Sequence, residues 1–236
     1  MNPPSAQPAF LPPSGLIVHP ALGPVRYSIR EVSDVPDRQV AQTISMMSAY
    51  ARADSTDPAV RADAARARAT GDPIADTWTH LRRGGLRGMR FVRDEVTAAP
   101  FSEYEYASPG RWNPLVESFA RPELLARSED PHGDCDCFCM YGAAHLIILG
   151  IPVAFCTVAA DASDPQTFTH VYLVAYPGGE RVPLDLSHGP YPGWETGKVY
   201  RKQEWSIGNG NLFLAFGAAA LLGGAMIAYC AMRQPS

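Results

Sequence analysis

The sequence predicts an α+β protein with a helical first half, a core in which one helix precedes antiparallel strands, and an apolar helix near the C-terminus. The first half contains two Asp-Pro pairs of the kind that begin helices. After residue 133, a helical pattern is followed by three runs rich in β-branched and aromatic residues. One helix followed by consecutive strands is typical of the α+β class.

The composition excludes several classes of protein. The chain has 236 residues, 46% of them hydrophobic and 19% charged, so it can bury a core without disulfides. Lys and Arg number 20 against 24 Asp and Glu, which gives a formal net charge of -4. Because nucleic-acid binding relies on clustered positive charge, we expect no nucleic-acid partner. The 5 cysteines are too few and too unevenly placed for a disulfide framework.

Residues 1–36 predict a proline-rich extended arm. The first 25 residues contain 7 prolines and no Lys or Arg, which argues against a secretory signal. Such a stretch is typical either of a disordered tail or of an arm that lies on a partner, for example a virion protein. Residues 24–32 alternate well enough to predict a short strand.

Residues 37–205 are expected to form one domain, helical at 37–120 and with a core at 121–200. Apolar periodicity and helix-start signals predict helices at 38–52, 58–69 and 73–92. Three glycines should weaken or bend the third helix, namely Gly84, Gly85 and Gly88. Residues 97–132 look irregular apart from a short helix at 123–127.

Arginines recur in the helical part and could indicate an anionic ligand. Their helical spacing and the interspersed aspartates favour a solvated face instead. These arginines are Arg61, Arg66, Arg68, Arg82, Arg83 and Arg87.

The sequence of the core predicts one helix and three strands. Asp134 is placed to cap a helix over about 136–149, and Gly150 ends it. The predicted strands cover residues 151–159, 168–176 and 181–186. A Pro-Gly-Gly-Glu turn at 177–180 joins the last two as a hairpin.

Three residues of this core carry the candidate chemistry: Cys135 at the helix start, His170 in a strand and Asp185 in the returning strand. A helix N-terminus favours the thiolate form of a cysteine, and its N–H groups can stabilise an oxyanion. An imidazole can take the thiol proton and return it to a leaving group. A carboxylate on the far side of the ring fixes its tautomer.

Hairpin geometry tests the last two residues. If Gly178 and Gly179 form the turn, Tyr172 lies opposite Asp185 and His170 opposite Ser187. His170 and Asp185 then share one face as diagonal neighbours, within reach of a hydrogen bond. A bulge of one residue would put them on opposite faces.

These residues resemble the transglutaminase-like superfamily of papain-fold proteins. The resemblance lies in Gly133-Asp134-Cys135-Asp136, Leu149-Gly150-Ile151-Pro152, Thr169-His170-Val171-Tyr172 and Val182-Pro183-Leu184-Asp185. A weaker likeness to prokaryotic and phage-encoded members extends to residues 91–93 and 103–109. The resemblance implies Cys135 as nucleophile, His170 as general base and acid, and Asp185 as the residue that orients the imidazole. Cys137 departs from the family, whose members commonly have a second Asp there.

Other interpretations of nearby residues stay open. His132 with Cys135, Cys137 and Cys139 could form a metal cluster, although such alternation on a helix points the side chains in different directions. Cys137 and Cys139 also fit ordinary helix positions, and Cys156 fits a buried strand position. No metal or cofactor is expected.

Two further histidines and two aspartates bear on the same site. His145 fits a core or surface histidine, and His188 could replace His170 only if the strand register differed. Asp134 and Asp136 oppose a thiolate through like charge, an effect that the helix start and an imidazolium offset. Trp112 and Trp194 are candidate walls for a cleft.

Residues 211–232 predict an apolar, transmembrane helix. Residues 212–232 contain no charge and would span about 31 Å as a helix, close to the ~30 Å apolar layer of a bilayer. Basic residues before the segment favour a cytoplasmic position for the catalytic domain. A helix buried in an oligomeric assembly is the alternative, since both settings tolerate apolar residues on all sides.

The sequence therefore predicts a cysteine-dependent hydrolase of peptide, isopeptide or amide bonds, attached to a membrane or an assembly. Its partner would be a peptide or protein substrate. Two alternatives remain: a structural virion or envelope component that uses the fold as a scaffold, and acyl transfer to an amine.

Overall fold

The computed structural model describes residues 14–19, 23–31, 35–93 and 116–207, and these form a mixed α+β structure. The helices are α1 (Pro36–Asp54), α2 (Pro58–Ala67), α3 (Pro73–Leu81), α4 (Pro122–Arg127) and α5 (Cys135–Ile148). The strands are β1 (Ser14–His19), β2 (Gly23–Glu31), β3 (Arg90–Phe91), β4 (Val116–Ser118), β5 (His132–Gly133), β6 (Val153–Ala159), β7 (His170–Ala175), β8 (Val182–Leu184) and β9 (Arg201–Ile207).

The main sheet has four antiparallel strands in the order β8-β7-β6-β9. Helix α5 packs against this sheet on one side and against α1 and α3 on another. Every residue from Asp136 to Leu146 is buried. A helix that is apolar on all sides is typically surrounded by protein, and α5 is therefore the centre of the domain.

The predicted helix starts are confirmed at α2 and α3. Asp57 accepts hydrogen bonds from the Ala59 and Val60 amides, and Asp72 does so from those of Ile74 and Ala75. In both helices a proline occupies the first turn, where the missing N–H has no cost. The short helix predicted at 123–127 is α4.

Helix α3 ends earlier than predicted, at Leu81 instead of residue 92. Gly84 and Gly88 adopt φ values of +68° and +74°, which residues with a side chain rarely adopt. The chain turns there and continues as β3, which pairs in parallel with β5.

The N-terminal region contains more pairing than the predicted arm implies. Strand β2 covers the strand predicted at 24–32, but β1 was not expected and pairs with it in an antiparallel hairpin. Strand β2 also pairs with β4. Strand β9 was missed as well, because its sequence RKQEWSI is mostly polar, and it pairs with β6 along seven positions.

The apolar segment predicted at 211–232 lies outside the described residues. In the part of the chain that the structure describes, no helix has the length and apolar character needed to cross a membrane.

A buried polar cluster fixes α5 to the helical layer. Asp63 of α2 is fully buried and contacts His80 of α3 at 3.2 Å and His145 of α5 at 3.3 Å. Tyr141 of α5 donates a hydrogen bond to the same carboxylate, and the Arg87 guanidinium lies 3.6 Å from it. His145, predicted as a core or surface histidine, is a core residue, and Arg87 is less solvated than predicted.

The environment of Asp63 changes its ionisation. Burial alone raises the pKa of Asp63, but polar contacts with His145, His80 and Tyr141 outweigh burial and hold the pKa well below its usual value. Burial also lowers the pKa of His145, although Asp63 opposes this shift. One ionised carboxylate therefore connects three helices, α2, α3 and α5.

We expect Asp63→Asn to lower the free energy of unfolding at neutral pH by about 3–5 kcal/mol, because it removes one charge from a buried paired cluster. Urea denaturation followed by circular dichroism measures this change. Glu129→Gln is the matched control, since Glu129 is exposed. A loss for Asp63→Asn no larger than that of the control would contradict this role.

The same cluster predicts a pH dependence. A carboxyl whose folded pKa is lowered stabilises the fold above its unfolded pKa of about 3.9 and loses that effect as the pH falls toward the folded pKa. A histidine whose pKa is lowered by burial destabilises the fold as the pH falls below about 6.5. The wild-type protein should therefore lose stability below about pH 6.5 and more steeply below pH 4, and Asp63→Asn should flatten the lower limb.

Candidate active site

His170 and Asp185 meet at the end of the β7–β8 hairpin. The observed register pairs Leu173 with Leu184, which is the register predicted from a Gly178-Gly179 turn. Both glycines have positive φ, +59° and +89°. Such a turn follows the twist of the strands without a bulge. The His170 Nε2 and Asp185 Oδ2 atoms are 2.9 Å apart, so the predicted hydrogen bond is confirmed.

A tight turn after β8 holds the other oxygen of Asp185. Oδ1 accepts hydrogen bonds from the His188 amide at 2.9 Å, the Ser187 amide at 3.3 Å and the Ser187 hydroxyl at 3.0 Å. The backbone carbonyl of Asp185 accepts one more from Gly189. Asp185 is 3% exposed, and both its oxygens are occupied by protein donors.

These donors decide the charge of the carboxylate. Burial alone raises the pKa of Asp185, but the hydrogen bond and charge of His170, together with hydrogen bonds from the His188 amide and the Ser187 hydroxyl, bring it below its usual value. Since Asp185 is ionised, Nε2 of His170 carries the proton that it donates. When that proton is the only one on the ring, Nδ1 has a free lone pair and can accept another proton.

Cys135 is the first residue of α5, and only Asp134 separates it from β5. Pairing of β5 with β3 fixes the chain just before the thiol, through Phe91 opposite Gly133. A Cβ atom on Gly133 would lie 2.4 Å from Cβ of Cys137, so the helix approaches this strand more closely than a side chain allows. The sequence alone does not show that this close approach requires a glycine at position 133.

Asp134 occupies the N-cap position of α5, as predicted, but its side chain caps none of the helix amides. The first amides of any helix lack carbonyl partners within it, and the peptide dipoles add partial positive charge at this end. The Cys135 side chain therefore belongs to the end of α5 that favours negative charge.

Cys135 and His170 line one cleft of about 260 Å³. Helix α1 forms one wall, with Gln39, Val40 and Thr43 among its residues. Phe168 and Thr169, just before β7, contribute to the opposite wall. An aromatic side chain does line the cleft, but it is Phe168 and not the predicted Trp194. The other predicted residue, Trp112, lies outside the described residues.

Charged residues at the cleft divide into two groups. Asp134 and Asp136 line it beside the thiol. At the rim, Arg201 of β9 pairs with Asp37 at 2.7 Å and packs over the Phe168 ring. This contact joins the start of α1 to the loop before β7, so both walls of the cleft are connected by a strand that the sequence did not reveal.

The other described cysteines are structural. Cys156 is buried, as predicted, Cys137 and Cys139 are buried too, and Cys135 is half-buried. Cys137 accepts a hydrogen bond from the Ala120 amide, and burial raises the pKa of Cys139 well above its usual value. Among the described cysteines, Cys135 is thus the accessible thiol.

Potential metal ligands converge in two groups within the described residues. One contains His170, Asp185 and His188, and the other contains Asp134, Asp136 and Cys137. Neither corresponds to the His132 and cysteine cluster that the sequence left open. The rings of His188 and His170 lie next to each other, with centroids 4.9 Å apart. Because the strand register is the predicted one, the imidazole that bonds to the Asp185 carboxylate is that of His170.

Comparisons with protein families, curated proteins and solved structures found no match to this chain.

We expect iodoacetamide to alkylate Cys135 well before Cys137, Cys139 and Cys156 in the native protein. The reagent must reach a thiolate, and the other three thiols are buried. Tandem mass spectrometry after short exposures measures the order of labelling, with Cys230 mapped separately. Early labelling of Cys137 or Cys139 at a comparable rate would contradict the assignment.

Proposed function

We propose that the protein is a cysteine-dependent hydrolase of peptide, isopeptide or amide bonds. The observation that carries the proposal is that a half-buried thiol at a helix start shares a cleft with an imidazole bonded to a buried carboxylate. Each part has a role that its chemistry explains. Cys135 is the nucleophile, His170 the general base and acid, and Asp185 orients His170.

The first half of the reaction forms a thioester. Nδ1 of His170 takes the proton of the Cys135 thiol, and the sulfur attacks the substrate carbonyl carbon. Negative charge develops on the carbonyl oxygen, where the amides at the start of α5 can stabilise it. The imidazolium then gives its proton to the leaving amine as the C–N bond breaks.

The second half releases the acid. A water molecule replaces the amine in the cleft, and Nδ1 of His170 removes one of its protons as the oxygen attacks the thioester. Collapse of the intermediate breaks the C–S bond, and the proton on His170 returns to the sulfur. Throughout, the ionised Asp185 keeps the remaining ring proton on Nε2 and stabilises the imidazolium.

We infer that the fold is the papain-like core of transglutaminase-like proteins. The arrangement that supports this inference is a cysteine at the start of a central helix, a histidine at the start of one strand, and an aspartate directly after the neighbouring antiparallel strand. The motif resemblance of residues 133–187 agrees with it. Convergent sites on other folds use similar residues, so the chemistry rests on the site and not on the fold alone.

Cys135→Ala should abolish hydrolysis of a fluorogenic peptide-amide library, because it removes the nucleophile. Cys156→Ala is the matched control, since it deletes a buried thiol that does not line the cleft. The control should retain wild-type rates. Equal rates for Cys135→Ala and wild type would sink the proposal.

Asp185→Asn should lower kcat by about 10²–10⁴-fold, since an amide can leave His170 in the wrong tautomer. Asp161→Asn is its control, because Asp161 is exposed and its hydrogen bonds are to Ser163 of the same loop. Steady-state kinetics on the best substrate of the library separates kcat from KM. A change confined to KM would show that Asp185 does not act through His170.

A further inference from the structure

We propose that His170, Asp185 and His188 form a binding site for a zinc ion, and that the bound ion withdraws His170 from thiol chemistry. The metal site stands on its own geometry, whereas its inhibitory effect rests on the proposed function. The same residues would then serve two exclusive states, one with a histidine free to move protons and one with that histidine held by metal.

The geometry brings three suitable atoms together. One nitrogen from each imidazole and one oxygen of Asp185 lie within 4.8 Å of one another. Nitrogen and oxygen ligands bind zinc at about 2.0–2.2 Å, so ligand atoms of a tetrahedral site are roughly 3.3–3.6 Å apart. His170 Nε2 and Asp185 Oδ2 are 2.9 Å apart, so this pair would have to separate by about 0.4–0.7 Å to admit the ion.

The donor types also suit zinc. Two imidazoles and one carboxylate are the ligands of open zinc sites, which keep a fourth position for water. Asp185 is buried, His170 half-buried and His188 exposed, so the cluster opens to solvent on one side. That side provides both the entry path for the ion and room for the water ligand.

The surroundings hold two of the ligands in place. The Ser187 hydroxyl lies 2.9 Å from Nδ1 of His188, and the edge of Phe91 packs against the same ring. The Asp185 carboxylate is oriented by the Ser187 and His188 amides. Second-shell contacts of this kind orient metal ligands and add to affinity.

Nearby positive charge limits that affinity. Arg83 and Arg93 lie close enough to His188 to act on it electrostatically, and Arg83 packs over the Phe91 ring. Against them, the ionised Asp185 supplies one negative charge in direct contact with the ion. We therefore expect zinc to bind this site reversibly.

Zinc binding moves the ring proton of His170 from one nitrogen to the other, and the ring keeps a single proton. In the metal-free protein, Nε2 of His170 lies 2.9 Å from the Asp185 carboxylate, so the single proton of a neutral ring belongs on Nε2, from which it donates to that carboxylate. Coordination through Nε2 requires the lone pair of that atom, so the single ring proton moves to Nδ1. Nδ1 can then no longer accept the proton of the Cys135 thiol.

Zinc titration of Cys135→Ala by isothermal calorimetry tests the site without any catalytic readout. We expect one zinc ion per chain, and binding weakened at least tenfold when His188→Gln is added to Cys135→Ala. His132→Gln in the same background is the matched control and should bind zinc as before. Circular dichroism checks that each variant is folded, and Co²⁺ should give visible bands without thiolate charge transfer.

The outcomes separate the two proposals. Zinc binding that persists in Cys135→Ala and fails in His188→Gln supports the site even if no hydrolysis is ever found. Absence of binding to folded Cys135→Ala up to about 100 μM zinc overturns it, as does unchanged binding by His188→Gln. In the wild type, zinc should slow both hydrolysis and alkylation of Cys135, and slow neither in His188→Gln.

Discussion

The pairing register between β7 and β8 is the constraint on which the candidate site depends. The register pairs Leu173 with Leu184, and it brings His170 and Asp185 within hydrogen-bond distance just beyond the paired segment. Because side chains alternate along a strand, a slip of one residue would separate them onto opposite faces. The two-glycine turn fixes the register locally, and a slip would also disturb the packing on both buried faces of β7, because it would exchange the residues that face α5 with those of the opposite face.

Helix α5 gives the thiol its position through burial and not through a cap. Its residues are enclosed between the sheet and the helical layer, while Asp134 makes no side-chain cap. The Asp63 cluster resists sliding of α5 against α2 and α3, because any shift would leave a buried carboxylate without its partners. A charge one helical layer away thus supports the geometry at the first residue of α5.

The sequence predicted those features that are encoded locally. The caps of α2 and α3, the span of α5 and the β7–β8 turn each depend on residues a few positions apart. Strand β9 has a polar sequence, and its partner β6 lies more than forty residues earlier, so no local pattern reveals it. Asp63 was missed for the same reason, since its histidine and tyrosine partners come from two other helices, α3 and α5. Phe168 lines the cleft, and Arg201 of β9 packs over its ring and pairs with Asp37 of α1, which are contacts between residues distant in sequence.

Orientation of an imidazole and ligation of a metal make the same structural demand. Both need a carboxylate held ionised and oriented away from bulk water, and Asp185 meets this demand through its turn. The two uses differ in their need for a second histidine. Orientation of His170 requires only its own hydrogen bond to Asp185, whereas a metal ion needs a further ligand. His188 adds a ligand at a position where proton transfer needs none, and its ring is placed by Ser187 and Phe91 independently of the thiol. The turn that orients His170 therefore also places the exposed imidazole of His188 beside it, so that one buried carboxylate lies near two histidines.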